Sequence, residues 1–325
     1  MQAPLDIQNG FSFYEFDSTV GFWGIPNISR EVRYSSASDA VFEVRHNSHG
    51  NRDDEPNYAP KKNLTLILGG SNTWGMGVKQ EDRYSDLLRS RFGRNVINAG
   101  HCSLGLDQVC LHLLMKGEKY KPKTVIVEQH PWAIHRIINN FVSGYLKPVF
   151  YIEGEKLKLQ KINKLYKYQV FRNGAQAYFK FKKEFREHQA GINLRKVYDH
   201  STDVIFEDPL FLCWKQDYYE NMYAVASRLI NVMKGECSRL GARLIFLFPP
   251  TKPELRSTIH SKLIDYGIPR RRLVTMCEEQ NVAYLDFLEP LLDMQNQGHE
   301  VIFEDSHLTP LGNLLISETL NETLS

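Results

Sequence analysis

The sequence predicts an α/β domain built on a doubly wound parallel sheet. Short apolar runs rich in β-branched residues recur along the chain, each ending in a Gly, Pro or polar cluster, which is the pattern of buried parallel strands. They cover 64–68, 96–98, 124–128, 243–248 and 282–286. Segments with helical periodicity lie between them, over 84–91, 108–116, 218–240 and 270–280. Strands alternating with helices imply right-handed crossovers and a sheet covered on both faces. In such sheets ligands bind beyond the carboxyl ends of the strands.

The stretch before the first strand, 1–62, carries the aromatic runs FSFYEF and VGFWGIP and the polar run HNSHGNRDDEP. It lacks a βαβ pattern and is expected to be an arm packed on a main domain spanning 63–325. A second irregular segment, 141–202, holds 13 Lys or Arg against 5 Asp or Glu and reads as an insertion. Its bases alternate with Tyr166, Tyr168, Phe171, Tyr178, Phe179, Phe181 and Phe185, which suggests one or two amphipathic helices with a basic face. An anionic polymer or carrier is the partner such a face would suit.

Composition sets outer bounds. With 325 residues, 42% of them hydrophobic, the chain can bury a sizeable core, so disorder is excluded as the default. A formal charge of +2 points to neither a nucleic-acid nor a membrane partner. No window approaches the roughly 18 apolar residues of a membrane span, so no transmembrane segment is expected. Cys102, Cys110, Cys213, Cys237 and Cys277 are scattered singly, which suits a reducing compartment, hence a cytoplasmic location unless a leader has been removed. Neither a metal nor an organic cofactor is expected, because ligand spacings such as H-E-x-x-H are absent.

The first strand runs into Gly69-Gly70-Ser71-Asn72-Thr73-Trp74-Gly75-Met76-Gly77-Val78. A P-loop would need Lys and then Ser or Thr after its second glycine, where Met76 and Gly77 stand instead. A dinucleotide fingerprint would need a glycine at Gln80, and the α/β-hydrolase elbow G-x-S-x-G one at Thr73. What is left is a serine at a strand's end, with its hydroxyl facing the crevice and its N–H free to meet an oxyanion. A base for it is offered by Asp305-Ser306-His307, just before a helix that Thr309 could cap and Pro310 could open. On an extended loop, residues two apart share a side, so the carboxylate can hold the imidazole Nδ1–H while Nε2 faces the hydroxyl.

Taken together, these segments resemble the SGNH (GDSL-like) hydrolases. LILGGSNTWGMGV is similar to that family's first block, G-D-S-x-T-x-G-x-G-V, with Ser71 at the nucleophile. NAGHCSLGLDQ resembles the second block, in which Gly100 would lend a backbone N–H to the oxyanion hole, and EDSHLTPLGN resembles the last. The lead-in RHNSHGNRDDEP and the run FPPTKPELR also look like stretches of bacterial members. The resemblance spans about 40–135 and 240–320. It implies a flavodoxin-like three-layer sandwich with a five-stranded parallel sheet, and roles for Ser71, His307 and Asp305 as nucleophile, base and orienting acid.

Two departures stand out. Gly70 replaces the aspartate of G-D-S, and the third block, normally G-x-N-D, reads Glu128-Gln-His-Pro-Trp-Ala-Ile-His-Arg136 with no asparagine. His130 is expected to supply the missing oxyanion donor, with Gln129, or a hole of only the two backbone donors Ser71 and Gly100, as the alternatives. The expected function is a serine esterase acting on a small-molecule or carbohydrate O-acyl ester, acetyl by family analogy. An O-acyltransferase of polysaccharide modification and a non-catalytic binding module of the same fold are the alternatives.

Overall fold

The computed structural model describes residues 5–6, 13–34, 40–55, 63–142, 145–162, 216–256 and 266–325. In the arm, the short strand β1 (Leu5–Asp6) runs parallel to β4 (Ser29–Tyr34). Strands β2 (Tyr14–Asp17) and β3 (Gly21–Gly24) form one antiparallel pair, and β4 forms another with β5 (Ala40–Arg45).

The main sheet contains β6 (Thr65–Leu68), β7 (Val96–Asn98), β8 (Thr124–Glu128), β13 (Arg243–Phe248) and β14 (Ala283–Asp286). All pairings are parallel, and the order is β14-β13-β8-β6-β7, the 2-1-3-4-5 arrangement read from its other edge. The sheet carries α2 (Tyr84–Phe92), α3 (Leu106–Tyr120), α4 (Gln216–Leu240), α6 (Ile268–Glu279), α7 (Leu288–Asn296) and α8 (Pro310–Thr323). Two further helices, α1 (Ser71–Trp74) and α5 (Lys252–Leu255), are single turns.

Successive strand residues alternate between two cores, as a pleated sheet requires. Leu66, Leu68, Val125, Val127, Phe246 and Phe248 pack with α3, α4 and α6. Ile67, Ile126, Ile245 and Leu247 pack with α2, α7 and α8. Covering both faces makes the strands nearly all apolar, and it makes this architecture a flavodoxin-like three-layer sandwich. The last helix begins as its residues suggest, with the Thr309 hydroxyl accepting from Gly312 N–H at 3.2 Å and Pro310 in the first turn.

Both irregular segments carry β structure in their described residues. The arm contributes Phe13, Phe22, Val32, Tyr34, Phe42 and Val44 to the α3/α4 core, so it is a β-structured part of that layer. At the start of the basic segment, β9 (Phe141–Val142) pairs with β10 (Tyr145–Leu146), and β11 (Val149–Glu153) with β12 (Lys156–Gln160). They precede the aromatic positions 166–185 on which the expectation of amphipathic helix rests. In Lys156-Leu-Lys-Leu-Gln160 the apolar period is two, and Gly154, with φ 61, supplies the left-handed turn. The aromatic and basic run 163–202 lies outside the described residues.

Candidate active site

At the carboxyl end of β6 the chain passes through Gly69 and Gly70 into α1, whose first residue is Ser71. Gly75 (φ 89) and Gly77 (φ 83) lie in the left-handed region. A Cβ on the first would stand 2.3 Å from Arg83 Cδ, and on the second 2.3 Å from Tyr34 Cε1. Conformation and space both demand glycine, so the G-x-G spacing serves the packing of this turn.

Asp305 and His307 meet by a route other than the extended loop expected. Ser306 has φ 69, a left-handed conformation that folds the chain into a tight turn. Phe303 N–H donates to the His307 carbonyl at 2.7 Å and Ser306 N–H to the Phe303 carbonyl at 3.0 Å. Lys252 N–H donates to Ser306 Oγ at 2.9 Å, and Leu308 N–H to Asn72 Oδ1 at 3.0 Å, which ties the turn to the residue following Ser71. As a result, Asp305 Oδ1 lies 3.1 Å from His307 Nδ1, and His307 Nε2 lies 2.8 Å from Ser71 Oγ. The three residues form one hydrogen-bonded chain.

Tyr34, which the sequence does not mark, joins this chain. Its hydroxyl donates to Asp305 Oδ2 and lies 3.1 Å from His307 Nδ1. Burial opposes ionisation of Asp305, but the bond and charge of His307 and the Tyr34 hydroxyl outweigh it and hold the carboxyl down at about 2. No local signal could identify a tyrosine 271 residues away in sequence.

Glu128, at the end of β8, is buried and braces the serine turn from below. Its Oε2 accepts from Gly70 N–H at 2.8 Å and from the Thr73 hydroxyl at 3.1 Å. A Cβ on Gly70 would sit 3.5 Å from Oε2. An aspartate there would set a second carboxylate against Glu128, which accounts for glycine in place of the G-D-S aspartate. Burial raises the Glu128 carboxyl above its ordinary range, although the bonds from Gly70 and Thr73 and the nearby Arg136 oppose it. The available sequence signal was a carboxylate closing an otherwise apolar strand.

Gly100 departs from its expected role. Its N–H donates to Asn98 Oδ1 at 2.9 Å, so that donor is already engaged. Asn98 also donates to the Thr73 carbonyl at 2.7 Å and to Ser85 Oγ at 2.8 Å, tying β7 to the serine helix. Glycine is needed at 100 because a Cβ would stand 2.4 Å from Thr73 Cβ. The Ser71 N–H belongs to the first turn of α1, where amides have no intrahelical acceptor.

His130 lines the same cavity as Ser71 and His307, a space of about 130 Å³ closed further by Glu128, Ala133 and Arg136. Burial first, then Arg136 and His307, push its pKa down to about 3, so the ring is neutral at pH 7 and keeps one N–H to donate. Gln129 also lines the cavity, but its Nε2–H donates to the His130 carbonyl at 2.7 Å. His135 contacts the Trp132 carbonyl at 2.6 Å and does not line the cavity. Arg136 donates to the Leu104 carbonyl at 3.1 Å, which places a cation on the cavity wall.

No family model matches the chain, and no curated protein sequence matches it. Solved structures of similar fold include a G-D-S-L family lipolytic protein from Desulfitobacterium hafniense DCB-2, at 14% identity and TM-score 0.44, over 80% of this chain and 99% of that one. An acetyl xylan esterase aligns at 10% identity and TM-score 0.45, over 81% of this chain and 100% of its own. A lipase/acylhydrolase from Enterococcus faecalis aligns at 10% identity and TM-score 0.45, over 81% and 95%. At these identities the likeness is one of fold.

Proposed function

We propose that the chain is a serine-dependent esterase that cleaves a short O-acyl ester. The observation that carries this reading is the continuous hydrogen-bonded sequence Ser71 Oγ, His307 Nε2, His307 Nδ1 and Asp305 Oδ1, opening on a cavity. Ser71 attacks the acyl carbon as its proton passes to His307 Nε2, and Asp305 stabilises the imidazolium. His307 then protonates the leaving alkoxide, and water repeats the sequence in reverse to release the acid. Charge on the tetrahedral oxygen is met by the Ser71 N–H and a neutral His130 N–H.

The cavity's size supports a short acyl group. At about 130 Å³ it is well under the roughly 300–1,000 Å³ of drug-sized pockets. A carbohydrate as the alcohol is a further part of the proposal and rests on the family resemblance. Incubation with a serine-directed organophosphonate, followed by intact-mass analysis and peptide mapping, tests the mechanism. A single adduct on Ser71 is expected. Absence of labelling, or labelling elsewhere with Ser71 free, removes the serine route.

A further inference from the structure

We propose that Tyr34 is a positioning residue of this site: its hydroxyl sets the tautomer of His307, and through it the β4–β5 hairpin becomes part of the active centre. The inference rests on the acyl-transfer reading above.

A tyrosine hydroxyl has one proton and two lone pairs. Asp305 is ionised at neutral pH, so it accepts, and the Tyr34 proton is directed to Asp305 Oδ2. At His307 Nδ1, 3.1 Å away, Tyr34 Oη is then left to act only as an acceptor. Asp305 Oδ1 approaches the same nitrogen at 3.1 Å and is an acceptor as well. Two acceptors on Nδ1 place the ring hydrogen there. That leaves Nε2 bare, the one form able to take the Ser71 proton across 2.8 Å.

The placement is rigid at the tyrosine end and loose at the aspartate end. Tyr34 is 1% exposed, held as the last residue of β4, with its ring edge-on to Phe303 at 5.6 Å and passing over Gly77, which has no Cβ to obstruct it. The Asp305 side chain is 33% exposed, so water competes for its oxygens. Pinning Oδ2 to a buried phenol aims Oδ1 at the imidazole. The second glycine of the G-x-G turn therefore makes room for the residue that orients the acid.

Tyr34→Phe keeps the ring and removes the hydroxyl. Its kcat on p-nitrophenyl acetate should fall about 10-fold with KM nearly unchanged. In an Asp305→Ala background the same substitution should cost much less than 10-fold, because the hydroxyl accepts at His307 Nδ1 only while the carboxylate takes its proton. Fully additive losses would overturn the proposal. Nitrogen-15 spectra of the histidine rings give a readout that needs no turnover. The wild type should show His307 with a protonated Nδ1 and a bare Nε2, and Tyr34→Phe a mixture of tautomers.

An unchanged tautomer would overturn the proposal even if kcat fell. The spectra also separate two kinds of failure: a wild type that resists phosphonate labelling defeats the serine route, whereas the tautomer result bears on Tyr34 alone. If Tyr34→Phe does not fold, 3-fluorotyrosine at position 34, a stronger donor of the same shape, should still move the His307 Nδ1 resonance. No movement would likewise overturn the assignment.

Discussion

Arg52 Nη1 lies 2.5 Å from the carbonyl oxygen of Gly75, so a residue of the arm closes the turn that carries Ser71. The same guanidinium donates to the Val78 carbonyl at 2.8 Å and lies over the Trp74 ring at 4.7 Å. Lysine has no fork to reach both carbonyls. Arg52→Lys should therefore lower stability by about 2 kcal/mol and reduce kcat as the serine turn loosens. Urea unfolding and steady-state kinetics on one preparation check both.

Ser71→Ala should abolish turnover of p-nitrophenyl acetate with the melting temperature retained, since only a small hydroxyl is lost. His307→Ala should be nearly as severe and Asp305→Ala milder, because the acid orients the base and takes no proton. The reverse order of severity would mean that the acid and base roles are misassigned.

His130→Ala should lower kcat about 10-fold or more with little change in KM, the pattern of an interaction made in the transition state. His135→Ala, with its ring turned to the Trp132 carbonyl, should do less. Equal kcat for wild type and His130→Ala would leave the Ser71 N–H as the surviving donor of this account.

Acid should loosen the junction between arm and serine turn before it protonates Asp305. His46 accepts from Trp74 Nε1 at 3.3 Å and contacts the Ile25 carbonyl through Nδ1 at 3.1 Å, so it must be neutral. Burial pulls its pKa down to about 4 and that of His112 to about 3, and drives that of His101 well below the usual range. These are depressed values, so below the unfolded value of about 6.5 the unfolded chain binds protons that the folded chain refuses. Stability should therefore be level above pH 6.5 and fall as pH drops from there toward 4. A melting temperature unchanged between pH 7 and 4.5 would contradict this.

Lys147 and Asp107 form an ion pair with both side chains fully buried, joining β10's following residue to the first turn of α3. Lys147→Met leaves a carboxylate alone in the core and should destabilise by about 3 kcal/mol or more. Replacing both residues with apolar ones should recover much of that loss. Chemical denaturation of the single and double variants would measure it.

The five strands are legible because the sheet is covered on both faces and its strands are mostly apolar, so their ends fall within one residue of 64–68, 96–98, 124–128, 243–248 and 282–286. The helix α7 is hard to read from sequence, because Leu288-Glu-Pro-Leu-Leu carries a proline that favours a break yet is tolerated in the first turn. The hairpin at 149–160 is masked in the sequence by its charge, although its second strand alternates with a period of two.

By itself, the sequence determined the layer architecture, the serine turn and the pairing of an acid with a base two residues on, because these are matters of local period, turn chemistry and spacing. Only the tertiary structure decided what surrounds them. Tyr34 reaches Asp305, Arg52 closes the Ser71 turn and Asn98 takes the Gly100 N–H through contacts of side-chain atoms. Such contacts depend on how arm, sheet and loop are brought together in space, and neither a residue's neighbours in sequence nor its hydropathy carries that information.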